Sequence, residues 1–242
     1  AAGQYKVTAE TAGAVGNEYI GTLFPIDYVS GLAAARLADI LIPGEDEESD
    51  DALRARYYET LESQAFGGNI ADYKNKVALL PGVGAVKVVP VWNGGGTVKV
   101  LIVDSERHVP SAELVSQVQE AIDPARGQGT GLGLAPIGHV VTVEGVAGAS
   151  IDVACSLTFD TGVTWDSAQE AVKAAIETYF ADLISTWADA DHLIVRVSQI
   201  ETKILNVPGI IDITGTTING GTANIALAAN EIPTLGVVTN GA

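Results

Sequence analysis

The sequence of 242 residues contains no methionine, a single cysteine and no long apolar run. Since the chain lacks an initiator methionine, we expect a processed product or a fragment of a longer protein. No run of about 18 apolar residues occurs, so the sequence predicts no membrane span. The lone Cys155 excludes an internal disulfide and a multi-cysteine metal site. It lies in the apolar run 151–159, where we predict a buried, unreactive thiol.

Basic residues are also scarce, with 13 Lys and Arg against 30 Asp and Glu, which gives a net charge of −17. A nucleic-acid binder carries a basic stripe that neutralises phosphates, and no such cluster is present. The same argument disfavours an anionic membrane surface. Hydrophobic residues make up 47% of the chain, which is typical of a folded protein. At roughly 100–200 residues per domain, the length allows one large domain or two small ones.

Residues 1–43 are rich in Ala, Gly and Thr and lack enough alternating pattern to form a domain. We interpret them as the end of a truncated N-terminal domain. The acidic run 45–51 follows and predicts the start of a helix, with Ser49 as N-cap and Leu53, Tyr57 and Leu61 on one face. Asp46, Glu48 and Asp50 also alternate as in a calcium loop, but the glycine and glutamate of an EF-hand are missing.

Further along, hydrophobic periodicity predicts helices over 70–80, 111–122, 165–187 and 195–205. It predicts strands over 85–91, 97–103, 138–144 and 150–159, and Asn93-Gly94 between the first two indicates a hairpin. The aromatic residues of the third helix suit core or inter-subunit packing: Trp165, Tyr179, Phe180 and Trp187. The glycine-rich stretch 127–133 lacks the preceding strand of a dinucleotide fingerprint, and Pro136 follows it. We therefore predict a flexible inter-domain linker there.

A stretch of the chain recurs after about 127 residues. The segment 77–83 around Pro81-Gly82 matches the segment 204–210 around Pro208-Gly209, and Asn93-Gly94-Gly95 matches Asn219-Gly220-Gly221. Each copy is predicted to form a helix, a strand, a hairpin and a second strand. The sequence therefore predicts an α+β fold with two small lobes, 44–134 and 135–242, which follow the remnant 1–43.

No constellation of residues signals catalysis. His108, His139 and His192 each stand alone, without a partner at metal-ligand spacing. Two carboxylate pairs, Asp104 with Glu106 and Asp152 with Asp160, stay open as hydrolase candidates, since only a cleft that shifts one pKa would reveal acid–base work. We therefore predict no enzyme, with no catalytic residues, no cofactor, no metal and no small-molecule substrate.

The order of several motifs resembles the baseplate J-like proteins of contractile-tailed bacteriophages, in the type found in defective prophages of Bacillus. The segment 43–57 is similar to their Gly-x-Asp-x-Glu-Ser-Asp-x-x-Leu-Arg-x-Arg motif. Shorter matches are Gly68-Asn69 with Tyr73, Pro81-Gly82-Val83, Ala135-Pro136-Ile137-Gly138 and Glu231-Ile232-Pro233 with Leu235-Gly236. The resemblance runs from about Gly44 to Val238.

This resemblance implies a structural component of the baseplate wedge at the distal end of a contractile tail. Its partners would be other wedge and hub proteins and further copies of itself, and assembly would take place in the bacterial cytoplasm. The alternatives are a tail-associated hydrolase, a receptor- or carbohydrate-binding module, or the equivalent subunit of a contractile injection system. Residues 204–242 contain no Lys or Arg and only two acids, so we expect this segment either to pack against a partner, near Val237 and Val238, or to belong to the core of the lobe.

Overall fold

The computed structural model of the chain describes residues 3–62 and 67–241, without the side chains of 59–62. Packing divides the chain into two compact units. The first unit contains the chain up to Glu106 together with Pro110–Gly145, and the second contains Arg107–Val109 and the chain from Val146 onward. Both units combine helices with small sheets, so the predicted α+β class is confirmed.

The first unit begins with a 3₁₀ turn over Ala14–Glu18 and two short antiparallel strands, β1 (Gly21–Leu23) and β2 (Ala35–Leu37). Two helices follow, α1 (Asp50–Glu62) and α2 (Ile70–Ala78). Ser49 caps α1 as predicted, because its Oγ accepts a hydrogen bond of 3.3 Å from the N–H of Ala52. The side chain of Leu61, placed on the apolar face by the sequence, lies outside the described residues.

A three-stranded sheet forms the centre of the first unit. The predicted hairpin is confirmed as β3 (Val83–Pro90) and β4 (Thr97–Asp104), which pair antiparallel. Helix α3 (Ala112–Ile122) then returns the chain so that β5 (Val140–Gly145) pairs parallel with β4. The core lies between this sheet and the two helices and includes Tyr73 and Val77 of α2 and Leu114, Val118 and Ile122 of α3.

The second unit has its own three-stranded sheet, with strand order β10-β6-β8. Its elements are β6 (Ala147–Phe159), α4 (Trp165–Ile184), β7 (Ile194–Val195), α5 (Val197–Leu205), β8 (Ile210–Ile218), β9 (Ile225–Ala226) and β10 (Glu231–Asn240). Strand β6 runs antiparallel to β8 and parallel to β10. Helices α4 and α5 pack against each other and against this sheet.

The core of the second unit follows the predicted alternation along β6. Ile151, Val153 and Cys155 are all buried, while the intervening Asp152 is exposed. The aromatic residues predicted for core or inter-subunit packing mostly belong to the core, since Tyr179, Phe180 and Trp187 are buried. Trp187 also donates a hydrogen bond of 3.1 Å from Nε1 to the carbonyl oxygen of Ala229.

The first half of the predicted repeat is present in both units. After α2 and after α5 the chain turns at a glycine of positive φ, 82° at Gly82 and 88° at Gly209, and enters a strand. The turn hydrogen bonds correspond as well: Val83 N–H to Leu80 O and Ile210 N–H to Val207 O are both 3.2 Å. Glycine is required at these positions because the left-handed region strains other residues.

The prediction is wrong for the second half of the repeat in the later copy. The Asn219-Gly220-Gly221 turn bends the chain back only as far as a bridge between Ile218 and Gly221, and the next strand does not pair with β8. Strand β9 instead pairs antiparallel with β7. The turn itself is held against β6, because the N–H of Asn219 donates to the carbonyl oxygen of Asp152 at 2.9 Å.

The prediction of a flexible linker at 127–133 is also wrong, because this stretch is a hydrogen-bonded loop within the first unit. Gly138 donates to the carbonyl oxygen of Gly129 at 2.8 Å, and Leu134 donates to that of Ala121 at 3.1 Å. A Cβ on Gly133 would lie 2.3 Å from the carbonyl oxygen of Ile122, so the chain passes too close for any side chain. The two packing units divide between Gly145 and Val146 and not between 134 and 135, because β5 pairs with β4.

Candidate assembly surfaces

Residues 3–58 expose a large amount of apolar surface. Apart from Pro43, every residue in this range is at least partly exposed. Phe24, Ile26 and Tyr28 are almost fully open to solvent, with exposed fractions of 85%, 102% and 91%. So many exposed large apolar side chains are typical of a surface that binds another protein or another segment of the same protein.

Helix α1 continues this exposed surface. Leu53 and Tyr57, which the sequence placed on one face, are open to solvent, with exposed fractions of 47% and 61%, and the neighbouring Tyr58 is 63% exposed. The rings of Tyr57 and Tyr58 meet edge to face at 5.9 Å between centroids. Exposed aromatic side chains beside a leucine have the composition of an interface centre, where Tyr and Trp are enriched.

The acidic run before α1 is held by hydrogen bonds and has no geometry of a metal loop. Glu48 forms a two-point ion pair with Arg56, at 2.9 and 2.8 Å, and this bonding lowers the pKa of Glu48. Asp46 accepts a hydrogen bond of 2.8 Å from the N–H of Ala14, and Glu45 accepts one of 2.5 Å from that of Gly82. Each of these three carboxylates therefore binds a neighbouring segment of the first unit. In residues 3–62 and 67–241, no group of three metal-binding side chains occurs.

The sheet of the second unit has one open side, at the residues where the sequence predicted a packing surface. Val237 is 63% exposed there, and Val238 pairs in register with Val153. A shallow depression of about 250 Å³ lies beside Val237 and is lined by Asp152, Val153, Ala154, Thr217, Gly220, Val237 and Thr239. Asp152 supplies the single ionisable group of this lining, and its Oδ1 already accepts a hydrogen bond from the N–H of Val237.

The two carboxylate pairs left open by the sequence have structural roles. Asp152 lies near the middle of β6 and Asp160 directly follows the strand, about 26 Å away along an extended chain. Asp160 accepts a hydrogen bond from the N–H of Thr161 at 2.7 Å, and Asp104 accepts one from the N–H of Glu106 at 3.0 Å. A carboxylate that stabilises its own turn in this way has the geometry of a turn residue and not of an acid–base pair.

The three histidines lie in separate parts of the chain. His108 follows β4 in a turn, His192 is exposed before β7, and His139 precedes β5. His139 stacks on the ring of Tyr73, with 6.0 Å between the ring centroids, and its Nδ1 lies 2.9 Å from the Tyr73 hydroxyl. Burial, helped by the charges of Asp123 and Asp72, raises the pKa of Tyr73 to about 12. The tyrosine therefore keeps its proton at neutral pH and links α2 to the start of β5.

Cys155 has the buried environment predicted for it. Its side chain is fully enclosed on β6, and burial together with the nearby charge of Glu201 raises its pKa to about 11. The thiolate is the reactive form of cysteine, so a thiol with a raised pKa and no exposure is inert. The sequence interpretation of Cys155 as a core residue is therefore confirmed.

Two polar residues at the C-terminal end of α3 have roles that the sequence did not predict. Gln119 lies in the last turn of the helix and Asp123 is its C-cap, and both side chains bind the backbone of β5. Asp123 is 1% exposed. Nothing in the sequence indicates that a strand edge lies beside this end of the helix.

Comparison with known protein families identifies the chain. The sequence model of the Baseplate J-like central domain matches residues 65–145, within the first packing unit. That of the Baseplate J-like protein C-terminal domain matches residues 151–241, within the second. Together the two matches cover more than half of the sequence. The chain belongs to the baseplate J-like family.

The chain is also similar to individual relatives and, in its fold, to one solved structure. The chain is 39% identical over 231 residues to the uncharacterized protein YqbT of Bacillus subtilis and 35% identical to the phage-like element PBSX protein XkdT of the same organism, and each match covers 95% of the chain. It spans 64% of the length of each of these relatives. A chain of the anti-feeding prophage baseplate shares the fold, with a TM-score of 0.50, 10% identity, and coverage of 88% of this chain and 47% of the other.

Proposed function

We propose that this chain is part of a baseplate wedge subunit of a contractile phage or prophage tail, and that it binds other wedge proteins, the hub and further copies of itself. The observation that carries the proposal is the pair of baseplate J-like domains, one in each packing unit. The relative XkdT belongs to a phage-like element, and the solved structure with the same fold is a six-fold symmetrised prophage baseplate. These two similarities support the placement in a tail baseplate, and the wedge position is our proposal.

The exposed apolar surface of residues 3–58 supplies the contacts that such a subunit needs. Interface centres are depleted in charge and rich in aromatic residues, whereas the rest of this chain carries a strongly acidic surface. We propose that residues 1–43 are the end of an N-terminal domain completed by further chain. The relatives are longer than the present sequence, which supports this assignment. The sequence predicted lobes of 44–134 and 135–242, and we place the division after Gly145 instead, because β5 pairs with β4 of the first unit.

A role without catalysis is part of the same proposal. The carboxylates of Asp104 and Asp160 accept hydrogen bonds from N–H groups of their own turns. The imidazole of His139 stacks on the buried Tyr73. In the part of the chain that the structure describes, no helix has the length and apolar character to cross a membrane. We propose assembly in the cytoplasm of the bacterial host, where a single reduced cysteine such as Cys155 is ordinary.

Copurification tests the wedge assignment. The full-length subunit is tagged in the bacterium that carries the prophage, the tail is induced, and the proteins retained with the tag are identified by mass spectrometry. We expect other baseplate proteins in stoichiometric amounts, and electron microscopy of tagged particles should show the label at the distal end of the tail. A tagged subunit that retains no other baseplate protein after the tail has been induced would contradict the proposal.

Two assays separate the alternative functions. The purified chain is incubated with peptidoglycan in a turbidity assay and is applied to a glycan array. We expect no lysis and no glycan binding. Lysis that is lost on substitution of a carboxylate such as Asp152 would establish a hydrolase, and saturable glycan binding would establish a recognition module.

The open side of β10 is the second proposed contact surface. Val237 is exposed beside a bulge in the strand, and the surrounding residues from 204 to 242 carry no basic side chain. Replacing Val237 and Val238 with lysine should weaken wedge association. If the double variant assembled as well as the parent chain, β10 would be excluded as a contact.

A further inference from the structure

The outer edge of β5 carries an inference about how this chain avoids unwanted association. Strand β5 ends the sheet order β3-β4-β5 and pairs with β4 on one side only. An unpaired strand edge presents N–H and C=O groups that form a template for a strand of another chain. In the first unit, side chains of α3 bind these groups.

Gln119 binds the middle of the edge at two points. Its Oε1 accepts a hydrogen bond of 2.8 Å from the N–H of Val143, and its Nε2 donates one of 3.0 Å to the carbonyl oxygen of Val141. A primary amide has the same donor and acceptor as a peptide group. The Gln119 side chain therefore takes the place that a peptide of a fourth strand would occupy.

Asp123 binds the start of the same edge. Its Oδ2 accepts a hydrogen bond of 2.9 Å from the N–H of Val141, in a buried position, and its Oδ1 accepts one of 2.9 Å from the N–H of Gly129. Both carboxylate oxygens are thus engaged, and the group is 1% exposed. Gln119 Nε2 also donates to the carbonyl oxygen of Asp123 at 2.7 Å, which ties the two residues together.

We propose that Gln119 and Asp123 form an edge guard, which closes β5 to strands of other chains and so leaves association to other surfaces. Gln119 lies in the last turn of α3 and Asp123 is its C-cap, so the end of one helix presents both side chains to the strand. The outward N–H groups of Val141 and Val143 and the carbonyl oxygen of Val141 are bound by the guard. A foreign strand would first have to displace these bonds.

The replacement Gln119→Leu tests the guard, because leucine removes both the donor and the acceptor at a similar size. Gln117→Leu is the matched control, since Gln117 is exposed on the same helix. We expect the amide of Val143 to exchange its hydrogen about fivefold faster in Gln119→Leu than in the control. We also expect Gln119→Leu to associate with rising concentration in sedimentation velocity, beyond the control and the parent chain.

Each result decides the proposal. Faster exchange at Val143 without association beyond the control would overturn the guarding role, and unchanged exchange would overturn the assigned bonds. If Gln119→Leu fails to fold, Asp123→Asn replaces it, because asparagine keeps the shape but supplies one acceptor where Val141 and Gly129 need two. A folded Asp123→Asn variant with the association behaviour of the parent chain would likewise overturn the proposal.

Discussion

The carboxylate of Asp152 on β6 accepts a hydrogen bond of 2.8 Å from the backbone N–H of Val237 on β10. The bond lies where the parallel register of the two strands shifts between Leu235 and Val238. The intervening Gly236 leaves room for the carboxylate, since a Cβ there would lie 2.1 Å from Oδ1 of Asp152. Asp152 therefore stabilises the register shift in β10, and its Oδ1 is occupied by this hydrogen bond.

Replacing Gly236 with alanine should destabilise the second unit. The added methyl group would force the Asp152 side chain to rotate and to lose its bond to Val237. We expect the free energy of unfolding to fall by about 1–3 kcal/mol, measured by urea denaturation. Gly221→Ala is the control, because a Cβ there meets no atom closer than 3.7 Å. A Gly236→Ala variant as stable as that control would contradict this account.

Local signals in the sequence predicted the local parts of the fold. Asn93-Gly94 between two alternating runs predicted the β3–β4 hairpin, and the Ser49 cap predicted the start of α1. The same turn signal failed at Asn219, because the next strand, β9, pairs with β7, which lies before α5 and β8 in the chain. Turn chemistry sets the direction of a turn, whereas strand partners depend on long-range packing.

The guard on β5 was not predictable for a related reason. On a helix taken alone, Gln119 and Asp123 have the pattern of a solvated face. Their role depends on the parallel pairing of β4 with β5, which places a strand edge opposite them. In the same way, the glycine-rich stretch 127–133 has the composition of a linker, and only the hydrogen bonds around Gly129 show that it is an ordered loop.

The pair Tyr73–His139 should contribute measurably to stability. In Tyr73→Phe, the ring keeps its place in the core and only the hydroxyl that contacts Nδ1 of His139 is lost. We expect a loss of about 1 kcal/mol in the free energy of unfolding. The exposed Tyr58 provides the control, because Tyr58→Phe should change stability by less than about 0.5 kcal/mol. Equal stability of the two variants would mean that the hydroxyl contact contributes nothing.

Cys155 should make stability fall as the pH rises from about 9 to 11. Its pKa is raised from 9.0 to about 11 in the folded chain, so in this window the unfolded chain releases the thiol proton while the folded chain retains it. The unfolded state then binds fewer protons, and the free energy of unfolding decreases with pH by up to about 1.4 kcal/mol per unit.

Urea denaturation at a series of pH values measures this slope, with Cys155→Ala as the comparison. The variant should lose the part of the slope between pH 9 and 11 and retain the decline above pH 10 that arises from Tyr73, whose pKa is also raised. Identical slopes for the parent chain and the variant would show that Cys155 titrates alike in the folded and unfolded states.

The exposed face of α1 should be needed for assembly and not for folding. Because Leu53 and Tyr58 make little buried contact, Leu53→Ser with Tyr58→Ser should change the free energy of unfolding by no more than about 0.5 kcal/mol. Interface anchors of this type commonly contribute about 1–3 kcal/mol each to binding. The double variant of the full-length subunit should therefore be depleted from purified baseplates. Leu205→Ser, on the exposed side of α5, is the matched control and should be incorporated normally. Normal incorporation of the α1 variant would place the assembly contacts elsewhere on the chain.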